Sequence, residues 1–263
     1  MNSRQWLAYY QANRTNRPEP KWNSPSPIDP PIQRLLARSL SHFQLGETGE
    51  GTVLINQARV QAPDDPVYHD ALELFIAEEG EHARLLERLV LRFGGRTIHR
   101  HWTHALFRLV RQAVGFRFEI QVLLIAELVG TAYYRLLKTR TRDSVLEETC
   151  ALLLKDEAQH VAFHADWLGD LLARLLPFEA AVWRAQFQLL FSVAAYVAWI
   201  DHRAAVVAAG TNRREFFHEA RRECIGFLHQ LEVNATHAVA TTLCRRVTLP
   251  SSISFPIADP VIN

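Results

Sequence analysis

The chain has 263 residues, 48% of them apolar and 22% charged, with a formal net charge of +1. That balance suits a soluble globular protein with one large buried core, and gives no electrostatic reason to expect nucleic acid or an anionic membrane as a partner. Three cysteines, Cys150, Cys224 and Cys244, are an odd number without metal-ligand spacing and point to a reduced, cytoplasmic setting.

Residues 1–31 lack the apolar run of a secretory signal and carry six prolines, from Pro18 to Pro31. They read as an extended, proline-rich arm. From Ile32 a helical stripe begins, with Leu36, Leu40, Phe43, Glu47, Glu50, Leu54 and Gln57 recurring at steps of three and four up to Pro63. Gly46, Gly49 and Gly51 interrupt it, and each glycine weakens a helix by about 1 kcal/mol relative to alanine, so close packing or a ligand must compensate. Asp65-Pro66 reads as an N-cap followed by proline at the first helical position. The second helix then carries Leu72, Phe75, Glu79, His82, Leu86, Leu89 and Phe93 on its stripe and ends at Gly94-Gly95.

A third helix spans His101–Lys138, with a break near Gly115, and faces its core with Leu123, Glu127, Gly130 and Tyr134. A polar turn leads to Asp143 or Ser144 as the cap of a fourth helix, which holds Leu153, Glu157, His160 and His164 on one side and ends before Pro177. Two further helices are expected over roughly 178–209 and 213–247. Within the first of these, Gln186–Ile200 is the most apolar stretch; it is too short to span a bilayer and reads as a buried core helix. The whole is all-α: one helical domain over 32–248, followed by an extended tail over 249–263.

Residues three apart on a helix share a face, so Glu79 and His82, and again Glu157 and His160, can each reach one point inside a bundle. The motif E-x-x-H alone says little, since a third copy, Glu215–His218, sits among arginines and reads as a solvated face. The first two copies have context. Each follows a lone glutamate, Glu47 or Glu127, at roughly thirty residues, which is the reach of an antiparallel helix pair. Folding the two pairs together brings four carboxylates and two imidazoles to one level of a four-helix bundle. A bundle core cannot hold that many ionisable groups bare, and two divalent cations would neutralise the four carboxylates.

Other residues compete or assist. Glu50 is an alternative to Glu47, and Glu119 a weaker alternative to Glu127. Metal-bound histidines usually donate their second N–H to a carboxylate, and Glu78 and Asp156 either serve the histidine of the opposite motif or are surface acids, the two readings standing level. His164 is a third imidazole ligand, a group behind the ligands, or a core histidine, the last being the simplest reading. Tyr133 and Tyr134 read as packing. Asp201, His202 and the histidines around His101 carry no spacing signal.

Through Glu47, Glu79-x-x-His82, Glu127 and Glu157-x-x-His160, the chain resembles the ferritin-like di-iron carboxylate superfamily over roughly residues 32–176. The resemblance implies a ferritin-like four-helix bundle with two additional C-terminal helices. It also implies two Fe ions, or Mn or a mixed Fe/Mn pair, bridged by Glu79 and Glu157, with Glu47, His82, Glu127 and His160 as terminal ligands. The activity it implies is O2-dependent oxidation of a small organic substrate, with an electron donor left unspecified; a homodimer is compatible with it. Ferroxidase or iron-handling proteins and manganese-containing relatives share the ligand set, and a non-catalytic helical interaction protein is a third reading. The chain departs from the arylamine N-oxygenases, which add a histidine where this sequence has Leu153, and from the reductase small subunits, since no tyrosine falls within Glu47–Leu54.

Overall fold

In the computed structural model, residues 1–49, 51–112 and 116–247 are described, and every regular element among them is a helix. In chain order these are α1 (Ser3–Thr15), α2 (Pro30–Glu47), α3 (Thr52–Gln61), α4 (Pro66–Arg92), α5 (Trp102–Gln112), α6 (Phe116–Arg140), α7 (Ser144–Leu172), α8 (Pro177–Ala208) and α9 (Arg213–Val247). Helix starts follow local chemistry: Asp65 accepts the Tyr68 N–H ahead of Pro66, and Asp143 accepts the Leu146 N–H at the head of α7.

The expected extended arm over 1–31 is corrected in its first half, where the chain forms α1. The prolines begin only at Pro18, so nothing breaks a helix before it. Asn2 and Gln5 form a reciprocal capping box, and Trp6, Tyr10 and Asn13, at helical spacing, bury one face against α4. The single helix expected from Ile32 to Pro63 is likewise divided, into α2 and α3. Gly51 takes φ +61° at the break, and a Cβ there would lie 2.3 Å from Ile76 Cδ1, so close packing accounts for this glycine. Glu50 lies outside the described residues, as does the tail expected over 249–263.

Helix α2 packs along α4 and α6 along α7, and the two pairs meet where α4 touches α7. Helix α1 covers α4, α8 lies against α2 and α6, and α9 lies against α6 and α7. The core has two apolar blocks. One gathers Trp6, Tyr10, Phe75, Leu124, Leu128, Phe163 and Phe187; the other gathers Leu36, Leu40, Leu86, Leu89, Tyr134, Leu137 and Leu153. On α4 and α7 the chain passes from one block to the other through Glu79–His82 and Glu157–His160, so a charged layer lies between the two, and Glu127 of α6 joins it from within the first block.

Two described helices, α6 over Arg117–Arg140 and α8, have the length and hydropathy of a membrane span. Helix α6 is largely buried within the protein. Helix α8 is not: only 28% of its most apolar window is covered, which corrects the reading of Gln186–Ile200 as a buried core helix. The stretch is apolar on more sides than the bundle can cover.

Candidate metal centre

Each helix of the two central pairs brings one glutamate to the same layer: Glu47 ends α2, Glu79 lies in the middle of α4, Glu127 in α6 and Glu157 in α7. Helical spacing then adds His82 one turn after Glu79 and His160 one turn after Glu157. Ligand atoms of Glu79, His82 and His160 fall within 4.8 Å of one another, as do those of Glu47, His82 and Glu157, and those of Glu127, Glu157 and His160. The three groups share members and form one cluster. All six residues expected from the sequence are therefore brought together.

The geometry distinguishes their positions. Glu157 turns one oxygen to each imidazole: Oε1 lies 3.5 Å from His82 Nδ1 and Oε2 lies 3.6 Å from His160 Nδ1. Glu79 Oε1 approaches His160 Nδ1 to 2.8 Å, and Glu127 Oε2 lies 4.0 Å from it. Even the 2.8 Å approach is not aligned as a hydrogen bond, and Glu79 Oε1, Glu157 Oε2, His82 Nδ1 and His160 Nδ1 are all buried atoms with no hydrogen-bond partner. Buried polar atoms without partners are costly. Four of them gathered this closely are what bound cations would satisfy, and an oxygen-rich set with imidazoles suits iron or manganese.

The outer nitrogens are fixed. His160 Nε2 donates to Glu78 Oε2 at 2.9 Å, and His82 Nε2 lies 3.3 Å from Asp156 Oδ2, so each motif supports the histidine of the other. An Nε2–H donated to a carboxylate leaves Nδ1 as the inward-facing donor atom. Behind these carboxylates stand two residues the sequence reading did not single out. Arg17 reaches Glu78 through Nη1 at 2.8 Å and Asp156 through Nη2 at 2.6 Å, and Asn13 donates to both from the C-terminal end of α1. The Trp6–Tyr10–Asn13 spacing carries a signal for Asn13, which the neighbouring prolines obscured, and none for Arg17.

Protonation follows from burial. Burial lifts the Glu47 carboxyl well above its ordinary range, and the Glu79 and Glu157 charges add to it. Burial with the Glu157 and Glu79 charges does the same to Glu127. Burial also opposes ionisation of Glu79, but the charges of His160 and His82 outweigh it and hold that carboxyl low. For His160 burial disfavours the cation, yet Glu79, Glu157 and Glu78 raise its pKa well above the usual value. Without cations the layer neutralises itself with protons.

His164 lies beside the cluster but in none of the ligand groups. Its ring packs edge-on to Phe75, neither nitrogen has a partner, and burial plus the His160 charge lower its pKa to about 3. Glu119 is fully buried on α6 outside these groups. Tyr134 places its hydroxyl 3.5 Å from Glu47 Oε1, while Tyr133 bonds to Ser39. The third motif copy is on the surface, where Glu215 pairs with Arg140 at 3.0 Å.

A second group joins residues without a sequence signal, because they come from three separate elements. Asp201 of α8 takes His42 Nδ1 at 2.9 Å and lies 3.6 Å from His101 Nε2, with the two rings stacked at 3.9 Å. Arg34, Arg38, Arg96 and Arg100 line the same hollow, so a divalent cation there would face strong repulsion. The larger hollow, about 610 Å³ between α6 and α9, is lined by charged residues including Arg135, Glu215 and Arg222, remote from the cluster. Compared with protein-family models, curated proteins and solved structures, the chain matches none.

Proposed function

We propose that Glu47, Glu79, His82, Glu127, Glu157 and His160 bind two divalent cations in a ferritin-like bundle, and that with iron the protein is an O2-dependent oxidase or oxygenase of a small organic substrate. One observation carries the reading: Glu157 presents its two oxygens to two different imidazoles, which is the disposition of a carboxylate shared by two ions. Glu79, grouped with both histidines, has the same standing.

Iron held there supplies the electrons for O2 reduction, which no side chain of the cluster can. The protein's own residues do the rest. Four carboxylates match the charge of two dications, and Arg17 offsets the two acids behind the histidines. Glu78 and Asp156 hold each imidazole in one orientation, while the apolar blocks above and below the layer exclude bulk water. Glu47 and Glu127 give up protons as cations enter. The buried free thiols of Cys150 and Cys224 suit a reducing, cytoplasmic setting.

Oxygen uptake by the iron-loaded protein with a chemical reductant tests the activity. The reading expects uptake that ceases at two Fe(II) per chain without substrate and continues catalytically with a small organic substrate present. Sustained consumption of many Fe(II) per chain would move the assignment to iron handling, and manganese loading without O2 uptake would move it to a manganese protein. No binding of either metal would leave a helical interaction protein.

A further inference from the structure

Helix α8 is held to the bundle by Phe187, Phe191, Ala195, Ala205 and Val206. Its opposite side is open, with Val182, Leu189, Val193, Tyr196 and Ile200 each 44–66% exposed. A contiguous apolar face of this kind marks an interaction surface. Its spacing is that of a heptad seam: Glu179, Gln186, Val193 and Ile200 recur every seven residues, and Val182, Leu189, Tyr196 and Arg203 form the companion series three residues on. All eight belong to the outer face.

We propose that this face is the interface with a second copy of the same chain, paired antiparallel, α8 on α8, about a two-fold axis between Leu189 and Val193. In an antiparallel seam each residue of one series faces one of the other series. Setting Val193 against Leu189 of the partner subunit fixes every other layer. Ile200 meets Val182, Gln186 meets Tyr196, and Glu179 meets Arg203. Apolar meets apolar, amide meets phenol, and the two charges of the seam pair with opposite sign at both ends. A register shift of one heptad loses this match, setting Gln186 against Leu189 in one direction and against Arg203 in the other. A parallel pairing sets Glu179 against Glu179 and Arg203 against Arg203. The antiparallel register is therefore the self-complementary one, as a two-fold interface requires.

A lipid surface fits less well. The buried face ties the helix to the bundle, and the outer face lacks the row of lysines and arginines that holds a helix to an anionic lipid surface. A lipid surface would also offer nothing to pair with the charge of Arg203 or of Glu179.

Sedimentation equilibrium of the full chain at micromolar concentration tests the proposal. We expect a species of twice the 30.1 kDa chain mass. Leu189→Glu, at an exposed site, is expected to be monomeric with unchanged helicity. Glu179→Arg and Arg203→Glu should each weaken dimerisation about tenfold, and the two together in one chain should restore it. A wild-type monomer overturns the proposal. In that event, dimerisation of a chain ending at residue 247 would show that the tail covers the face, and co-sedimentation with phosphatidylcholine vesicles would show that lipid does. A dimer indifferent to Leu189→Glu, or charge reversals that the pair does not rescue, also overturns it.

Discussion

Replacing Arg17 with alanine removes the guanidinium that touches both carboxylates behind the two histidines of the cluster. Glu78 and Asp156 are nearly inaccessible, whereas the Arg17 side chain keeps 16% exposure. Breaking a fully buried ion pair costs about 3–5 kcal/mol. Asn13 still bonds both acids and water can reach the vacated site, so we expect about 2–3 kcal/mol here. At about 2–4 °C per kcal/mol for a chain of this size, melting falls by about 5–10 °C. Arg17→Lys keeps the charge but loses the forked contact, and should fall between. The pH dependence has a definite sign. Burial works to raise the Asp156 carboxyl, but His82 and Arg17 hold it at about 2, below its ordinary 3.8. A depressed carboxyl contributes stability that is full above 3.8 and disappears as pH falls through 2. The deficit of Arg17→Ala is therefore complete at neutral pH and closes below about pH 4. Thermal and urea melts of the metal-free proteins, followed by circular dichroism across that range, measure it. Equal melting temperatures at pH 7, or a deficit that grows on acidification, would refute the assignment of Arg17 as the charge behind the site.

Glu157→Ala should abolish metal binding at both positions, whereas Glu215→Ala, on a surface copy of the same motif, should leave it untouched; dialysis with elemental analysis separates them. His164→Phe replaces a buried ring whose nitrogens have no partners with one that suits Phe75 and Phe163, so melting should rise by the equivalent of about 1–2 kcal/mol. Its metal content should not change, and a tenfold loss of metal affinity would make His164 a ligand instead. Because Glu47, Glu127 and His160 hold protons in the metal-free layer, metal binding should release protons and tighten as pH rises. Titration in weak buffer reads this directly, and binding without proton release would contradict it.

The six cluster residues were legible because a helix repeats every three to four residues and two antiparallel pairs repeat one spacing. The supporting acids were legible for a similar reason, since each directly precedes a motif glutamate. Four things were not. Helix α1 was hidden because proline content was averaged over residues 1–31, although the prolines start after the helix has ended. The break between α2 and α3 turns on Gly51 approaching Ile76, a contact between segments that periodicity does not encode. The open side of α8 was missed because an apolar stretch reads the same whether its neighbour is its own bundle or another chain. His42, His101 and Asp201 converge from three elements and leave no trace in linear spacing.

The most direct measurement is the stoichiometry of metal binding. Metal-free protein is titrated anaerobically with Fe(II), and separately with Mn(II), and bound metal is counted by elemental analysis after dialysis. Two ions per chain, with a higher melting temperature on loading, is the outcome this account requires. One ion per chain, or none with an unchanged melting temperature, would contradict a site in which Glu157 is shared between two cations.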